Sequence, residues 1–391
     1  MHDDHRTVVL FSGGGTGGHL YPALALAEAL VQLRPDVRPF FVGSERGIEA
    51  RVLPERGMEH VLLPVQGFAR GSFLSNWRVV PTLGRSLARV FSLFRTLRPE
   101  LVVVTGGYAS GPSGIAAALM RVPLAVQEQN SVPGFTTTLL SRWARQVHLA
   151  FPEAVAHLSA GARKKVMLSG NPIRPPRAMD RSEMREAFGL RPDGLVVLVV
   201  GGSQGSASLN AAILEAIRLV VRDGRAPIPG LQLLWSTGTA NGDAMKAALA
   251  DLGSPEWVHA VDYIHDMSSA LAATDLAVSR AGAIATSEFL AWGLPAVLVP
   301  LPTAAANHQE HNAVALAACG AAVHLPEREL SGERLWSTIE GLAVDPVRLE
   351  ARRKAARERG RPESAIRIAA SLVDLLPPAR AAGAGSSGGR A

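Results

Sequence analysis

Short apolar runs of strand length alternate with amphipathic helical stretches along most of the chain. The runs cover residues 8–11, 39–42, 101–104, 124–126, 195–200, 231–235, 276–278 and 296–300. Unbroken aliphatic runs that are separated by helices are typical of parallel sheets with helices on both faces. The pattern therefore predicts an α/β fold.

Two of these runs lead directly into glycine-rich loops, and they lie nearly half a chain apart. Residues 8–11 precede the loop at 13–19, and residues 195–200 precede the loop at 201–205. This spacing favours two doubly wound, Rossmann-like domains over one, because each such domain begins with a strand and a glycine turn.

The segment 171–176 is Asn-Pro-Ile-Arg-Pro-Pro, which can continue neither a helix nor a sheet because proline fixes φ and lacks an N–H donor. We place the hinge between the domains there. The predicted division is an N-terminal domain at 1–170, a C-terminal domain at 171–360, a helix at 361–376 that can pack back on the N-terminal domain, and a disordered tail at 377–391.

Composition narrows the class of protein. A chain of 391 residues with 19% charged side chains fits two ordinary globular domains. The single cysteine, Cys319, excludes an internal disulfide and a thiolate cluster, and it favours a reducing compartment. We expect neither secretion nor a membrane span, because the N-terminus is polar and no window reaches roughly 18 apolar residues. A net charge of +6 indicates an anionic partner, which can be a nucleic acid, a lipid headgroup or a phosphorylated substrate.

The first glycine loop, at 13–19, joins a strand to a helical pattern, so its amides and the helix N-terminus can face an anion. The same loop fits the G-x-G-x-x-G fingerprint of dinucleotide-binding proteins. That fingerprint also needs an acidic residue at the end of the second strand, and here Glu45 comes somewhat late. NAD or FAD binding is therefore the weaker alternative.

Two further glycine loops, at 106–112 and 201–205, also follow strands. Each alone can be a tight strand-to-helix turn. All three loops come at the carboxyl ends of strands, where α/β proteins bind ligands, so together they favour a ligand cleft between the domains.

Two later segments carry candidate polar contacts. Glu288 follows a strand and a small-residue turn, and its carboxylate can accept both hydroxyls of a ribose; the alternative is a solvated first-turn glutamate that favours the helix dipole. In the segment 307–313, His308 and His311 can bind a metal, but their spacing offers no third ligand. Amide hydrogen bonds to sugar hydroxyls are the better interpretation of that segment.

Residues 60–99 contain six arginines and no aspartate or glutamate. The helical apolar positions of this stretch, 83, 87, 90, 91, 94 and 97, predict a face buried in the N-terminal core. Contact with an anionic membrane surface is assigned to Phe73, Leu74, Trp77, Arg70, Arg78, Arg85 and Arg89. The alternative is a plain solvated surface.

Several motifs in this order resemble the MurG family of peripheral transferases in peptidoglycan synthesis, and the resemblance extends to about Leu376. They are Gly14 to His19, Gly106 to Tyr108, Glu128 to Asn130, Gly170 to Arg174, Gly201 to Gly205, Arg280 to Glu288, Gly293 to Pro295 and Gln309 to Ala313. The resemblance implies a GT-B fold and an inverting transfer of N-acetylglucosamine from its UDP donor to the C4 hydroxyl of the muramyl sugar of lipid I, giving lipid II.

The same resemblance implies roles for individual residues. It assigns the acceptor diphosphate to Gly14, Gly15, Gly106, Gly107 and Tyr108 in an N-terminal, membrane-facing domain. It assigns the UDP-sugar to Thr16, Gly17, Gly18, Asn130, Arg174, Ser203, Gln204, Ile264, Glu288 and Gln309, most of them in the C-terminal domain. Two positions depart from the family pattern: Gln127 replaces a common histidine and Ala281 a common serine.

His19 and Glu128 are the candidate general bases toward the acceptor hydroxyl. An imidazole changes protonation near neutral pH, and His19 directly follows the glycine loop; the alternative is that it only orients that loop. No Asp-x-Asp motif lies near the glycine loops, so we expect no obligatory divalent cation and no cofactor besides the donor substrate.

The resemblance further implies undecaprenyl-linked lipid I as a partner, a peripheral location at the cytoplasmic face of the inner membrane, and participation in a cell-wall synthesis complex. The rival hypotheses are another GT-B transferase, a UDP-sugar epimerase of related fold and a non-catalytic membrane scaffold. Nucleic acid is not expected as a partner, because the basic stretch lacks a recognised reading motif.

Overall fold

The computed structural model describes residues 6–65, 79–202, 205–223, 225 and 228–379. These residues form two compact units. The N-terminal unit comprises the chain up to Gln129, Pro133–Pro172 and the residues from Glu363 onward; the C-terminal unit comprises Asn130–Val132 and Ile173–Pro362. The chain thus passes between the units at four places, and the proposed hinge at 171–176 includes one of them.

The N-terminal unit is built on a seven-stranded parallel sheet with strand order β3-β2-β1-β4-β5-β6-β7. Its strands are β1 (Thr7–Gly13), β2 (Val37–Ser44), β3 (His60–Leu63), β4 (Leu101–Gly106), β5 (Leu124–Glu128), β6 (Gln146–Leu149) and β7 (Val166–Leu168). Helices cover both faces, and β1 and β4 are buried along their whole lengths. This arrangement confirms the prediction made from the unbroken apolar runs.

The helices of the N-terminal unit are α1 (Gly17–Leu33), α2 (Glu49–Glu55), α3 (Val79–Leu97), α4 (Ser110–Leu119), α5 (Phe135–Leu140) and α6 (Ala160–Arg163). The last helix of the chain, α15 (Ser364–Val373), also belongs here. Its buried residues Ile368, Ala369 and Leu372 join the core cluster that contains Leu20 and Leu24 of α1.

The C-terminal unit has a six-stranded parallel sheet with strand order β10-β9-β8-β11-β12-β13. Its strands are β8 (Leu195–Val200), β9 (Leu231–Ser236), β10 (Val258–Val261), β11 (Leu276–Ser279), β12 (Ala296–Leu298) and β13 (Ala322–His324). Its helices are α7 (Arg181–Ala187), α8 (Ala207–Val221), α9 (Gly242–Ala250), α10 (Met267–Ala273), α11 (Ala283–Ala291), α12 (His308–Ala318), α13 (Gly332–Ala343) and α14 (Pro346–Arg359). Short 3-10 turns occur at Pro152–His157 in the N-terminal unit and at Ala305–Asn307 and Glu327–Glu329 in the C-terminal unit.

Each sheet has a point at which the strand order reverses. In the N-terminal unit β1 lies beside β4, and in the C-terminal unit β8 lies beside β11. Doubly wound proteins bind ligands outside the carboxyl ends of the strands at such a point. All three glycine loops that the sequence singles out follow one of these four strands, so the fold places them where ligands are expected.

Helix α3 shows the amphipathic pattern predicted for it. Val90 and Phe94 lie in the core of the N-terminal unit, while Arg85 and Arg89 are exposed one turn apart on the other side. Within the described ranges, no helix combines the length and the apolar character that crossing a bilayer requires.

Candidate active site

The glycine loop after β1 is joined to β4 by direct contacts. The Thr105 hydroxyl donates to the His19 carbonyl at 2.8 Å, which ties the first turn of α1 to the end of β4. Gly107 has φ +78°, and a Cβ atom there would lie 2.1 Å from the Gly14 carbonyl oxygen. Only glycine allows this approach, so the loops at 13–19 and 106–110 form one surface at the strand-order reversal.

His19 is half-buried, and its ring is held on one side. Its Nδ1 lies 2.9 Å from the Thr105 carbonyl oxygen and 2.9 Å from Gln129 Oε1. Two acceptors at Nδ1 place the proton on that nitrogen, which leaves the Nε2 lone pair as an acceptor in the neutral ring. Within the described part of the chain, Nε2 has no hydrogen-bond partner. The same histidine is therefore anchored through one nitrogen and available through the other.

Glu128, the second candidate base, has both carboxylate oxygens engaged with backbone amides, unlike the His19 ring, which has one nitrogen available. The Glu128 side chain is buried at the end of β5, where Oε1 accepts from the Gln129 N–H at 3.1 Å and Oε2 accepts from the Gly134 N–H at 3.2 Å. These bonds fix the chain that follows β5. A carboxylate engaged with backbone amides on both oxygens is a weaker candidate for proton transfer than His19.

Glu49, at the start of α2, has a central position that the sequence analysis missed. It is fully buried, and it accepts from the Gly15 N–H at 2.9 Å and the Ser44 N–H at 2.7 Å. A Cβ atom at Gly14, Gly43 or Gly47 would lie 2.0, 2.4 or 2.3 Å from its side chain. These glycines make room for a carboxylate. In this conformation the Gly15 N–H therefore donates to a carboxylate of the chain itself.

A cavity of about 290 Å³ lies beside this loop in the N-terminal unit. It is lined by Gly14, Gly15, Ser44, Arg46, Gly47, Val65, Tyr108 and Ala109. Its volume is at the lower end of the range for small-molecule sites. Three residues assigned to the acceptor, Gly14, Gly15 and Tyr108, thus share one cavity, and Arg46 adds a cation that the sequence analysis did not consider.

In the C-terminal unit, Arg280 connects the loop that follows β11 to the loop that follows β8. This nearly buried guanidinium donates through Nε to Ser206 Oγ at 3.1 Å and through Nη2 to Ser208 Oγ at 2.7 Å. Its Nη1 pairs with Glu327 at 2.5 Å. Arg280 thereby fixes the N-terminus of α8 from the end of β11. The sequence gives one indication of this role, because Arg280 is a charged residue that directly follows a buried strand.

Glu288 lies in the middle of α11 and is half-buried, so the alternative of a solvated first-turn glutamate is wrong. Burial raises the pKa of Glu288 to about 7, and the positive charge of Arg174 opposes that shift. Arg174 is itself exposed, just after the start of the C-terminal unit. The structure therefore brings together two residues that the sequence assigned to the same nucleotide.

The amides assigned to the donor sugar are also held in place. Asn312 is fully buried and donates to Asn130 Oδ1 at 3.1 Å, while its own Oδ1 accepts from the Ser131 N–H at 2.9 Å. These bonds explain why Asn130–Val132 belongs to the C-terminal unit. Gln309 Oε1 accepts from the Leu301 N–H at 3.0 Å, so its amide NH₂ is the part left to address a hydroxyl.

The remaining predicted residues divide as follows. Ile264 is buried in the loop after β10. Thr16, Gly17 and Gly18 lie at the start of α1 in the N-terminal unit, apart from the other donor residues in sequence and unit. Gly106 is the last residue of β4, and Gly107 lies between β4 and α4. Ser203, Gln204, Phe73, Leu74, Trp77, Arg70 and Arg78 lie outside the described residues. Arg89 is exposed but forms an ion pair with Glu45 at 3.8 Å.

Known proteins resemble both units. The N-terminal domain of glycosyltransferase family 28 matches residues 9–149, and its C-terminal domain matches residues 196–368. UDP-N-acetylglucosamine--N-acetylmuramyl-(pentapeptide) pyrophosphoryl-undecaprenol N-acetylglucosamine transferases are similar over nearly their full length. That of Moorella thermoacetica is 42% identical, covering 94% of this chain and 99% of the relative. That of Desulforudis audaxviator is 39% identical, covering 94% and 97%. The crystal structure of Acinetobacter baumannii MurG superimposes with a TM-score of 0.75 at 26% identity, covering 94% and 99%.

Proposed function

The chain belongs to glycosyltransferase family 28, and on this premise we propose that it transfers N-acetylglucosamine from UDP-N-acetylglucosamine to the muramyl sugar of lipid I, forming lipid II. It is an inverting hexosyltransferase with a GT-B fold. The acceptor C4 oxygen attacks the anomeric carbon, the bond from that carbon to the β-phosphate oxygen breaks, and UDP leaves with the electron pair. The acceptor proton must go to a base.

The observation that carries the proposal is the geometry of His19. Its Nδ1 is engaged by two oxygens at 2.9 Å, which supports an unprotonated Nε2 beside the glycine loops. A neutral imidazole in this tautomer can take the acceptor proton as the new glycosidic bond forms. We assign the general base to His19 and a loop-fixing role to Glu128.

Stabilising the departing UDP is the larger electrostatic task, because negative charge grows on the β-phosphate oxygen. The helix N-termini of α8 and α11, the loop amides after β8 and the guanidinium of Arg174 can supply the opposing charge. Glu288 would hold the ribose, the backbone at Ile264 the uracil, and Asn130 and Gln309 the sugar. The proposed chemistry is complete without a divalent cation.

On the acceptor side, the cavity beside the first glycine loop is our candidate for the diphosphate of lipid I. Gly14 and Tyr108 line it, and Arg46 offers the positive charge that two adjacent phosphates require. Because the Gly15 N–H already donates to Glu49, the cation at Arg46 carries more of this task than the loop amides do.

The lipid acceptor requires a membrane surface, and we assign its contact to the basic face of α3. Arg85 and Arg89 are exposed there while the opposite face is buried in the core. Anionic headgroups attract such a face at roughly 1 kcal/mol for each basic residue near the surface. The proposed location is peripheral, at the cytoplasmic face of the inner membrane.

The experiment that tests this function is transfer of radiolabelled sugar from UDP-N-acetylglucosamine to a lipid I analogue, with other UDP-sugars as competitors. We expect lipid II as the product, no transfer product from other UDP-hexoses, and unchanged turnover in EDTA. Hydrolysis of the donor without transfer, or loss of turnover in EDTA that magnesium restores, would contradict the proposal.

The same assay separates membrane contact from chemistry. With lipid I in anionic vesicles, the double variant Arg85→Glu, Arg89→Glu should lose most of its transfer, whereas with a detergent-soluble acceptor analogue it should match the parent protein. A matched control is Arg222→Glu, Arg334→Glu in the C-terminal unit, which changes the net charge equally. Equal losses with both acceptors, or in both variants, would contradict the assignment to α3.

A further inference from the structure

We propose that Gln129 is a positioning residue that sets the tautomer of His19, and that Gln127 and Asn171 hold Gln129 in the required orientation. The proposal rests on the function proposed above, because it explains how His19 is kept ready as a base. It concerns side chains of the N-terminal unit only. None of the three amides contacts substrate in this account; they act through the imidazole.

His19 Nδ1 faces two hydrogen-bond acceptors. The Thr105 carbonyl can only accept, and it lies 2.9 Å from Nδ1. Gln129 Oε1 lies at the same distance. A ring nitrogen that faces two acceptors carries the proton, so Nε2 keeps its lone pair.

The orientation of the Gln129 amide matters, because a flipped amide would present NH₂ to the His19 ring. Gln129 Nε2 donates to the Thr105 carbonyl at 2.8 Å, lies 3.3 Å from the Gln127 carbonyl oxygen and donates to Gln127 Oε1. A flip would place Oε1 against these three oxygens. The surroundings therefore require Oε1 to point at His19.

Gln127 is itself held by hydrogen bonds to its neighbours. Its Nε2 donates to Asn171 Oδ1 at 3.1 Å, and Asn171 Nδ2 in turn donates to the Gln129 carbonyl at 3.1 Å. The Ser364 hydroxyl donates to the Asn171 carbonyl. Gln127, Gln129 and Asn171 are each at most 1% exposed. A buried and mutually bonded set of amides resists reorientation, because any flip leaves a polar group unsatisfied.

The consequence is that a neutral amide here does what a carboxylate does in many acid–base sites: it holds one imidazole nitrogen so that the other is the base. Gln129→Met keeps the side-chain length but removes the acceptor at Nδ1. Gln129→Glu keeps an acceptor and adds a negative charge. Both variants keep the size of the side chain, so their comparison isolates the effect of the hydrogen-bond acceptor at Nδ1.

We expect Gln129→Met to lower kcat by about tenfold to a hundredfold, which is part of the effect of a positioned general base, with the KM for UDP-N-acetylglucosamine within about twofold of the parent value. Gln129→Glu should recover only part of kcat, because its second oxygen faces the three acceptors that hold the parent NH₂. It should also move the acid limb of the pH profile to higher pH by about one unit, because a nearby opposite charge favours the imidazolium. The control is Gln232→Met, which removes an equally buried amide that bonds the backbone at Arg191 and Asp193 in the C-terminal unit. It should lower thermal stability and leave kcat unchanged.

The decisive comparison is made in a His19→Ala background. There, adding Gln129→Met should change kcat by less than about twofold, because residues that act as a unit are not additive. A full multiplicative loss would show that Gln129 acts independently of His19 and would overturn the inference. If His19→Ala alone is near normal, the base assignment fails instead. Nitrogen NMR shifts of the His19 ring in the protein that retains His19 then still report whether Gln129→Met alters the tautomer, and an unchanged tautomer overturns the inference whatever the activity of His19→Ala.

Discussion

His19→Ala lowers kcat by about 10² to 10⁴-fold at saturating substrates, the range for removal of a positioned general base. The KM for UDP-N-acetylglucosamine stays close to the parent value, because His19 is assigned to the acceptor proton, whereas the proposed nucleotide contacts at Ile264 and Glu288 belong to the C-terminal unit. The physical reason is that no other described side chain at this loop offers an unengaged imidazole nitrogen, and Glu128 is committed to two backbone amides.

Steady-state transfer to the lipid I analogue measures this effect. The matched control is His60→Ala, which removes a half-buried histidine in the same unit whose Nδ1 lies 2.7 Å from the Met58 carbonyl oxygen. That variant should retain parental kcat. Near-normal turnover of His19→Ala would leave only the alternative of a loop-orienting histidine.

The second large effect concerns donor binding and its dependence on pH. Burial raises the pKa of Glu288 to about 7, with Arg174 opposing the shift. An ionised carboxylate accepts two ribose hydroxyls better than the protonated acid does. Donor binding should therefore release a proton. If only the ionised form binds, the donor affinity rises by about tenfold between about pH 6 and about pH 8.

Glu288→Gln should remove this pH dependence and weaken donor binding by about tenfold to a hundredfold, the range expected for losing hydrogen bonds to a charged group. Calorimetric titration of UDP at several pH values, in buffers of different ionisation enthalpy, measures both the affinity and the released proton. Glu340→Gln, at an ion pair with Arg225 in the same unit, is the control that should behave as the parent. A pH-independent affinity of the parent protein for UDP would contradict the assignment of Glu288 to the ribose.

Glu288 also makes the stability of the free protein depend on pH, in the opposite direction to the donor affinity: the affinity rises with pH, whereas the free energy of unfolding falls. Because the pKa of Glu288 is raised in the folded state, the folded protein binds more protons than the unfolded chain between about pH 4.5 and about pH 7. Its contribution to the free energy of unfolding is fully present below that window and is lost as the pH rises through it. UDP should offset that loss above pH 7, so its stabilising effect grows with pH.

The fold was predictable because its central strands are buried on both faces. β1, β4, β8 and β11 read as unbroken apolar runs, and their loops carry the glycines. The strands that the sequence analysis missed, β3, β6, β7, β10 and β13, have only three or four residues, and four of them are sheet edges. An edge strand packs on fewer neighbours, so polar residues such as His60 and His259 interrupt its apolar pattern.

Short motifs in the sequence singled out His19 and Glu288 as candidates, and their roles stay predictions. The site was not predictable where the function of a side chain depends on distant partners. Gln129 meets His19 across 110 positions of sequence, and Asn312 meets Ser131 across 181. Glu49 has a role only because Gly14, Gly43 and Gly47 surround it in space. Such roles follow from tertiary contacts, which no local pattern of residues encodes.

The central claim is that the loops beside β8 and β11 hold the nucleotide of the donor. Amide hydrogen exchange of the full chain with saturating UDP tests it most directly. The account predicts protection of residues 205–210, 262–266 and 282–290, with little change at 13–19 and 106–110. Protection confined to the glycine loop at 13–19, with the C-terminal loops exchanging as in the free protein, would contradict the account and return the dinucleotide interpretation of that loop.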